Sequence, residues 1–386
     1  MEGLLTDILA ALAVVLNGIP QGLLALTYGF AALPTAIAFV IGMGGALAFN
    51  SVATISFQAE TITLAGTMGS NIKERLSLIF WGAIFLLIPS ILGLNEAIID
   101  WIGPIIVFSM MAGVGIMLAY VAINLWQSEK IVGSSSMITA LIVWFITKDL
   151  ANTIIISIFV SIAIFNILKI SYIKNLLKEK FSYKIEEENI LLANEKFQFG
   201  NIIWRFWENK RVLIGALSIA CLNIGANISF GKITGSIAGV NTNIDHLAIY
   251  SSLADIGSSL FGGGPVEAII SGTGTATAPH PVLASVIMMG IMAVILLLKF
   301  LPKIGKFVHK STIAGFLFVL GVFVTFSTNI FNAIVTIPEV AGGPFGFTPW
   351  GMIIGATVLV SARFNPFFGL LSGVIIKILF MSITPT

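Results

Sequence analysis

The sequence predicts an all-α polytopic membrane protein of about 14 transmembrane helices, arranged as a seven-plus-seven inverted repeat. Three observations predict it. Of the 386 residues, 57% are hydrophobic and only 10% charged, against about 25% charged in a soluble domain. A bilayer core about 30 Å thick needs about 20 apolar residues per helical crossing, and apolar runs fill the chain except for one polar connector, 171–210. That connector leaves room for seven spans on either side of it, and an odd number of spans per repeat inverts one half relative to the other. A formal net charge of +2 without a basic low-complexity run gives no reason to invoke nucleic acid. The lone Cys221 can form neither an internal disulfide nor a thiolate metal site, so no metal and no cofactor is expected.

Runs bounded by Gly, Pro or charged residues place the first seven spans at 5–28, 33–50, 52–67, 76–94, 101–126, 134–148 and 150–170. The second seven fall at 211–232, 245–261, 263–278, 281–300, 311–333, 347–361 and 364–383. The first run lacks the basic leader of a signal peptide and is expected to be a retained helix. In the third span, Val52, Thr54, Ile55 and Phe57 favour extended backbone before Gln58-Ala59-Glu60 opens a helix. In the tenth, Gly262, Gly263 and Gly264 supply loose backbone, and Pro265, followed by Val266, suits the first position of a helix. Both spans are therefore expected to hold half-helices meeting near the midplane, with their positive N-terminal ends aimed into one space.

A carboxylate at the bilayer centre costs at least ~2.5 kcal/mol, so the few there mark candidate sites. Glu60 and Glu267 head the set as substrate-binding or proton-coupling groups, with Glu267 alternatively a cap on the tenth-span half-helix. Asn17, Gln21, Asn223 and Asn227 are polar groups of spans one and eight, expected to line the substrate cavity or else to join helices, and Gln58 and Ser271 at the half-helices complete the expected substrate-binding set. Asp255 is expected to pair with and orient them. Lys232 lies about 31 Å along its span at 1.5 Å per residue and should reach the far interface. A gap-free displacement of 206 residues lays Leu16-Asn17 on Leu222-Asn223, Gly29 on Gly235 and Gly66-Thr67 on Gly272-Thr273, as expected of an internal repeat. No P-loop, HExxH, GxSxG or metal-cluster motif is present, which makes an integral membrane enzyme the weakest reading.

Leu253-Ala-Asp-Ile-Gly-Ser-Ser-Leu-Phe-Gly262, the Gly-Pro segment after it, and Leu222-Asn-Ile-Gly225 resemble helices nine, ten and eight of the xanthine/uracil permease family, especially its purine branch. Gly103-Pro104 with Gly113-Val-Gly115 is similar to that family's fifth helix. The resemblance implies a core domain of spans 1–4 and 8–11 (residues 1–94 and 211–300). It implies a gate domain of spans 5–7 and 12–14 (95–170 and 301–386) and a nucleobase held between the half-helices. It further implies transport coupled to a proton or sodium ion by movement of core against gate, in a homodimer paired through the gate. Two departures stand out: the family's acidic residue in helix eight is Asn223 here, and that of helix ten aligns nearer Ser271 than Glu267. The sulfate permease family shares the fold, and Ile19-Pro20-Gln21-Gly22 with Gly29 and Pro34 is similar to its first helix, which makes a small-anion transporter the alternative. Two candidate carboxylates and no deep basic residue suit a neutral or cation-coupled substrate better than a bare anion.

All basic residues except Lys148, Lys232 and Lys377 lie on or beside odd-numbered connections. The positive-inside rule then puts the connector in the cytoplasm and both termini outside a multi-pass cell-membrane protein, whereas the family resemblance implies cytoplasmic termini.

Overall fold

The computed structural model describes residues 2–170, 195–269, 271, 273, 279–337 and 348–383. The first half runs through α1 (Glu2–Thr27), α2 (Ala32–Ala48), strand β1 (Ile55–Phe57), α3 (Ala59–Met68), α4 (Ile72–Ile91), the short α5 (Asn95–Ile102), α6 (Pro104–Ser128), α7 (Lys130–Thr147) and α8 (Leu150–Leu168). The second half comprises α9 (Lys210–Ala226), a π-helical turn (Asn227–Gly231), α10 (Lys232–Ile237), α11 (Ile244–Leu260), strand β2 (Val266–Ala268), α12 (Pro281–Leu297) and the short α13 (Phe300–Gly305). It closes with a run from Lys310 to Val335, which contains α14 (Ala314–Val319), a π-helical stretch (Leu320–Phe326) and α15 (Ser327–Val335), and then α16 (Thr348–Arg363) and α17 (Pro366–Ile383). Six of the described helices are long and apolar enough to cross a membrane. The surface agrees: α7 presents Ile138, Ile142 and Phe145, at spacings of one helical face, 58%, 54% and 58% exposed, a stripe that water would not tolerate but lipid does.

Turn chemistry sets where the chain reverses. Asn71 caps α4 by accepting the N–H of Glu74 at 3.0 Å, and Asn243 accepts that of His246 at 3.0 Å to start α11. Lys148 ends α7 in the left-handed conformation, and Asp149 at once caps α8 through the N–H of Asn152 at 2.7 Å. The α7–α8 junction is therefore a two-residue turn. Pro104 opens α6 after Gly103, whose φ of +97° a side chain would resist. His309 begins the Lys310 run by accepting the N–H of Ser311. Burial, with Lys310 and Lys169 beside it, lowers its pKa to about 4, so it remains a neutral acceptor at physiological pH.

Helices pack in two groups. One joins α2, α4, α9, α11 and α12, with α1 against α12 and the strand pair inside; the other joins α6, α7, α8, the Lys310–Val335 run, α16 and α17. Small residues permit the closest approaches. A Cβ on Gly45 would lie 2.2 Å from Tyr250, and Tyr250 reaches past that notch to donate to the Ala53 carbonyl at 2.6 Å.

The inverted repeat is present, in a different register from the one its identities predict. Helix Ala32–Ala48 and helix Ile244–Leu260 both have 17 residues, and each ends on a phenylalanine cap, Phe49 and Phe261, with nearly the same dihedral angles. The next residues, Asn50 and Gly262, both have positive φ, as do Gly29 and Gly239 before the helices. Backbone geometry thus displaces the halves by 210 to 212 positions, so Gly29 corresponds to Gly239 rather than Gly235. In the strands the displacement is 211, which lays Glu60 on Ser271.

The third span matches expectation: extended Ile55–Phe57 gives way to a helix at Ala59. The tenth does not. Pro265 opens no helix, because Val266-Glu267-Ala268 is extended and pairs antiparallel with β1, Ser56 opposite Glu267. The pairing satisfies backbone groups that a helix start would leave open at membrane depth. Glu267 is therefore not a helix cap. The rest of the expected half-helix includes residues 270, 272 and 274–278, which lie outside the described residues.

The described part of the connector, 195–209, straps the first group at its connector-side end. Glu195 accepts the N–H groups of Ala32 and Leu33 at 3.1 and 2.9 Å, at the N-terminus of α2. Gln198 N–H donates to the Phe261 carbonyl at 2.9 Å, and Trp81 Nε1 donates to the Ile203 carbonyl at 2.9 Å. Two charge-assisted bonds on a helix dipole are worth about 2 kcal/mol together at a half-buried position. Glu195→Ala is expected to lower the thermal unfolding midpoint of the detergent-solubilised protein by a few degrees, with Glu195→Gln intermediate. Equal midpoints for all three would leave the strap without a structural role.

Candidate functional site

A cavity of about 110 Å³ lies between the two helix groups, at the start of α3. Its polar wall is Asn17 and Gln21 of α1 with Gln58 and Glu60 at the α3 N-terminus. Its apolar wall comes from Leu150 and Ile154 of α8, Phe230 in the first π-helical turn, Ile269 after β2, and Leu320 and Val324 in the second. Strand β1 is what positions the polar side. It brings the chain in extended form to the start of α3, where Gln58 and Glu60 line the cavity.

Gln21 Oε1 accepts the Ala59 N–H at 2.9 Å, capping α3 from a neighbouring helix. Pro20 beside it lacks an N–H, which leaves the Leu16 carbonyl without its α1 ladder donor. Gln58 Oε1 accepts from Thr61 Oγ1 at 2.6 Å, while Gln58 Nε2, buried, has no partner among the described residues. Asn17 Oδ1 is likewise unpartnered. Glu60, 3% exposed, folds back on its own N–H and accepts a hydrogen bond from Thr325 Oγ1 at 3.0 Å. This bond links α3, which packs on α1, α4 and α9 of the first helix group, to the π-helical stretch of the other.

Behind the strand pair lies a second polar layer. Asn223 Nδ2 donates to Glu267 Oε1, and Asn223 Oδ1 is 3.0 Å from Thr61 Oγ1. The Glu267 carboxyl lies against that of Asp255, and Asp255 Oδ1 accepts the Val266 N–H at 2.7 Å. Asp255 thus holds the β2 backbone in place. Phe57 packs beside Gly22 of α1, and Gly263 and Gly264 press against the start of α2, where Gly264 N–H donates to Thr35 Oγ1 at 2.8 Å. A Cβ on Gly263 would sit 2.6 Å from the Thr35 backbone nitrogen.

The structure therefore divides the residues singled out in the sequence. Asn17, Gln21, Gln58 and Glu60 line the cavity; Asn223, Asn227 and Glu267 are fully buried and do not line it. Neither does Ser271, whose backbone N–H donates to Thr234 Oγ1 at 3.2 Å. Lys232 is exposed and lies 3.7 Å from Glu96 on α5. Thr325, Phe230, Leu320 and Val324 escaped sequence reasoning. They belong to π-helical turns, which recur at functional sites but leave no spacing signal in an apolar run.

No protein-family model and no curated protein matches the sequence. In three dimensions the chain is similar to the transmembrane domain of the bicarbonate transporter BicA of a cyanobacterium, with a TM-score of 0.69 and 14% identity over 96% of this chain and 97% of that one. It is also similar to SLC26A9, with a TM-score of 0.69 and 12% identity over 98% of this chain and 65% of that one. The murine Slc26a9 anion transporter in its inward-facing state gives 0.66 and 12%, over 98% and 68%. These likenesses correct the expectation of a xanthine/uracil permease and of a nucleobase or purine substrate: the structures just named, which superpose over nearly the whole chain, are of a bicarbonate transporter and of an anion transporter. They establish the fold as the polytopic inverted-repeat fold of those proteins.

Proposed function

We propose that the protein is a secondary active transporter of a small anion, and that the anion binds in the cavity at the start of α3. The observation that carries this reading is the meeting, between two helix groups, of a helix N-terminus with a buried, unpartnered N–H donor, Gln58 Nε2. Helix N-termini favour anions through the positive end of the dipole and their N–H groups; at α3 the Glu60 carboxyl now holds its own N–H, which the anion would take over. The unpartnered Asn17 Oδ1 offers an acceptor to an anion that carries a hydroxyl, as bicarbonate does. The fold supports the same reading.

Glu60 occupies the place the anion would take. A carboxylate and an anion in one small water-poor cavity repel each other strongly, so Glu60 takes a proton when the anion enters. Transport is then anion–proton symport, and the carboxylates that suggested a neutral substrate in the sequence become the coupling device. Breaking the Glu60–Thr325 bond frees the helix group containing α3 to move as a core against the other as a gate.

A thermal-unfolding screen of purified protein with bicarbonate, sulfate, chloride and dicarboxylates tests the binding step. Saturation at 100-fold over Kd stabilises by about 2.7 kcal/mol, so at least one small anion should raise the midpoint by several degrees, and more at pH 5.5 than at pH 7.5. No shift with any anion at either pH would refute the reading.

A further inference from the structure

A second cavity, of about 520 Å³, lies at the connector-side end of α3, again between the two helix groups. It is walled by Leu64, Thr67 and Met68 of α3, by α6 through Tyr120 and Asn124, and by the end of α16 through Arg363. Leu64 follows Glu60 by four residues, and Thr67 and Met68 follow Leu64 by three and four, one stripe of a single helix. The stripe that carries Glu60 in the midplane cavity thus ends in this vestibule, about 10 Å further on at 1.5 Å per residue. Among the described residues, Arg363 is the only charged one lining it. Its guanidinium sits 5.5 Å from the Phe364 ring centroid, and among the described residues no carboxylate forms an ion pair with it. Tyr120, Asn124 and Thr67 add uncharged polar groups.

We infer that this vestibule is an anion-selective antechamber to the midplane cavity, in which Arg363 concentrates the transported anion before it passes along α3. The inference rests on the anion-transport reading above. An unpaired cation at the mouth of a low-dielectric cleft raises the local concentration of anions, and salt removes the effect. A phospholipid headgroup offers Arg363 the same chemistry, and the experiment separates the two.

The first arm does not depend on transport. In a Cys221→Ala background, Asn124→Cys places a thiol in the vestibule, and its modification rates by an anionic and a cationic methanethiosulfonate reagent are compared in detergent. Attraction of one reagent and repulsion of the other each amount to about threefold at 6 Å in water. Arg363→Gln should therefore lower the anionic-to-cationic rate ratio about tenfold at low ionic strength, Arg363→Lys should preserve it, and 1 M salt should erase the difference. An unchanged ratio overturns the proposal.

The second arm measures KM for anion uptake into liposomes. Arg363→Gln should raise KM about threefold at low salt with the maximal rate unchanged, in phosphatidylcholine vesicles as in vesicles containing phosphatidylglycerol. A KM effect confined to the anionic vesicles assigns Arg363 to a lipid headgroup and overturns the antechamber. A wild-type protein that moves no anion, while the reagent ratio still falls, would refute the transport reading and leave the electrostatics of the vestibule standing.

Discussion

Replacing Glu60 with Gln is expected to abolish the pH dependence of anion uptake. Glutamine keeps the size and the hydrogen bond from Thr325 Oγ1, now through its amide oxygen, but has no proton to lose. In the wild type each transport cycle needs the carboxyl protonated, so uptake rises as pH falls, by up to tenfold per unit where the group titrates. The variant should show one flat rate between pH 5 and pH 8 and should no longer drive an anion uphill on a proton gradient. Initial uptake rates across that range measure the effect. Retained pH dependence in Glu60→Gln would move the coupling site elsewhere. Thr325→Val is the matched control, since it removes the bond between the helix groups and leaves the carboxyl in place. Its uptake should change in rate while keeping its pH dependence.

The largest stability effect is expected at Gly315, where α14 crosses α7. A Cβ there would lie 2.1 Å from the Ser136 carbonyl oxygen and 2.4 Å from its carbon, both backbone atoms that no rotamer change can move. The same crossing is tied by Ser136 Oγ, which donates to the Thr312 carbonyl at 2.7 Å and accepts the Gly315 N–H at 3.0 Å. Gly315→Ala must push the two helices apart, which combines overpacking with the loss of these bonds and costs about 3 kcal/mol or more. The measurable outcome is a collapse in the yield of monodisperse protein or a fall of about ten degrees in its unfolding midpoint. Gly355 in α16, with open space where its Cβ would stand, is the control: Gly355→Ala should leave the midpoint unchanged or slightly raised. Equal behaviour of the two variants would show that the crossing at Gly315 is looser than described.

Much of the architecture was legible because hydropathy and punctuation act locally. Gly103-Pro104 marks the start of α6, and the β-branched run before Gln58 marks the extended entry to α3. What failed were inferences that needed a partner. Pro265 after three glycines reads as a helix start by local preference, yet the strand Ile55–Phe57, more than two hundred residues earlier, offers a ladder that wins. The displacement of 206 rested on identities among apolar letters, whereas the true register is written in backbone: the positive φ shared by Asn50 and Gly262, and by Gly29 and Gly239.

The candidate site was half legible for a related reason. Asn17, Gln21, Gln58 and Glu60 stand out as polar groups in apolar sequence. The wall that faces them, Leu320 and Val324 with Thr325 beside them, is made of residues ordinary for a membrane helix, placed by a π-helical turn that composition does not announce. The nucleobase expectation failed because Asp255 and the Gly-Pro segment share letters with a permease motif. Here Asp255 accepts the Val266 N–H and Gly264 N–H donates to Thr35.

The most direct test of the central claim is simultaneous recording of anion uptake and internal pH in liposomes containing only this protein. With an inward gradient of sulfate, chloride or a dicarboxylate, the account predicts that at least one anion accumulates and that the lumen acidifies in step, both in wild type, with the acidification lost in Glu60→Gln. Liposomes that take up none of these anions, or that take one up with no proton entry, would contradict it.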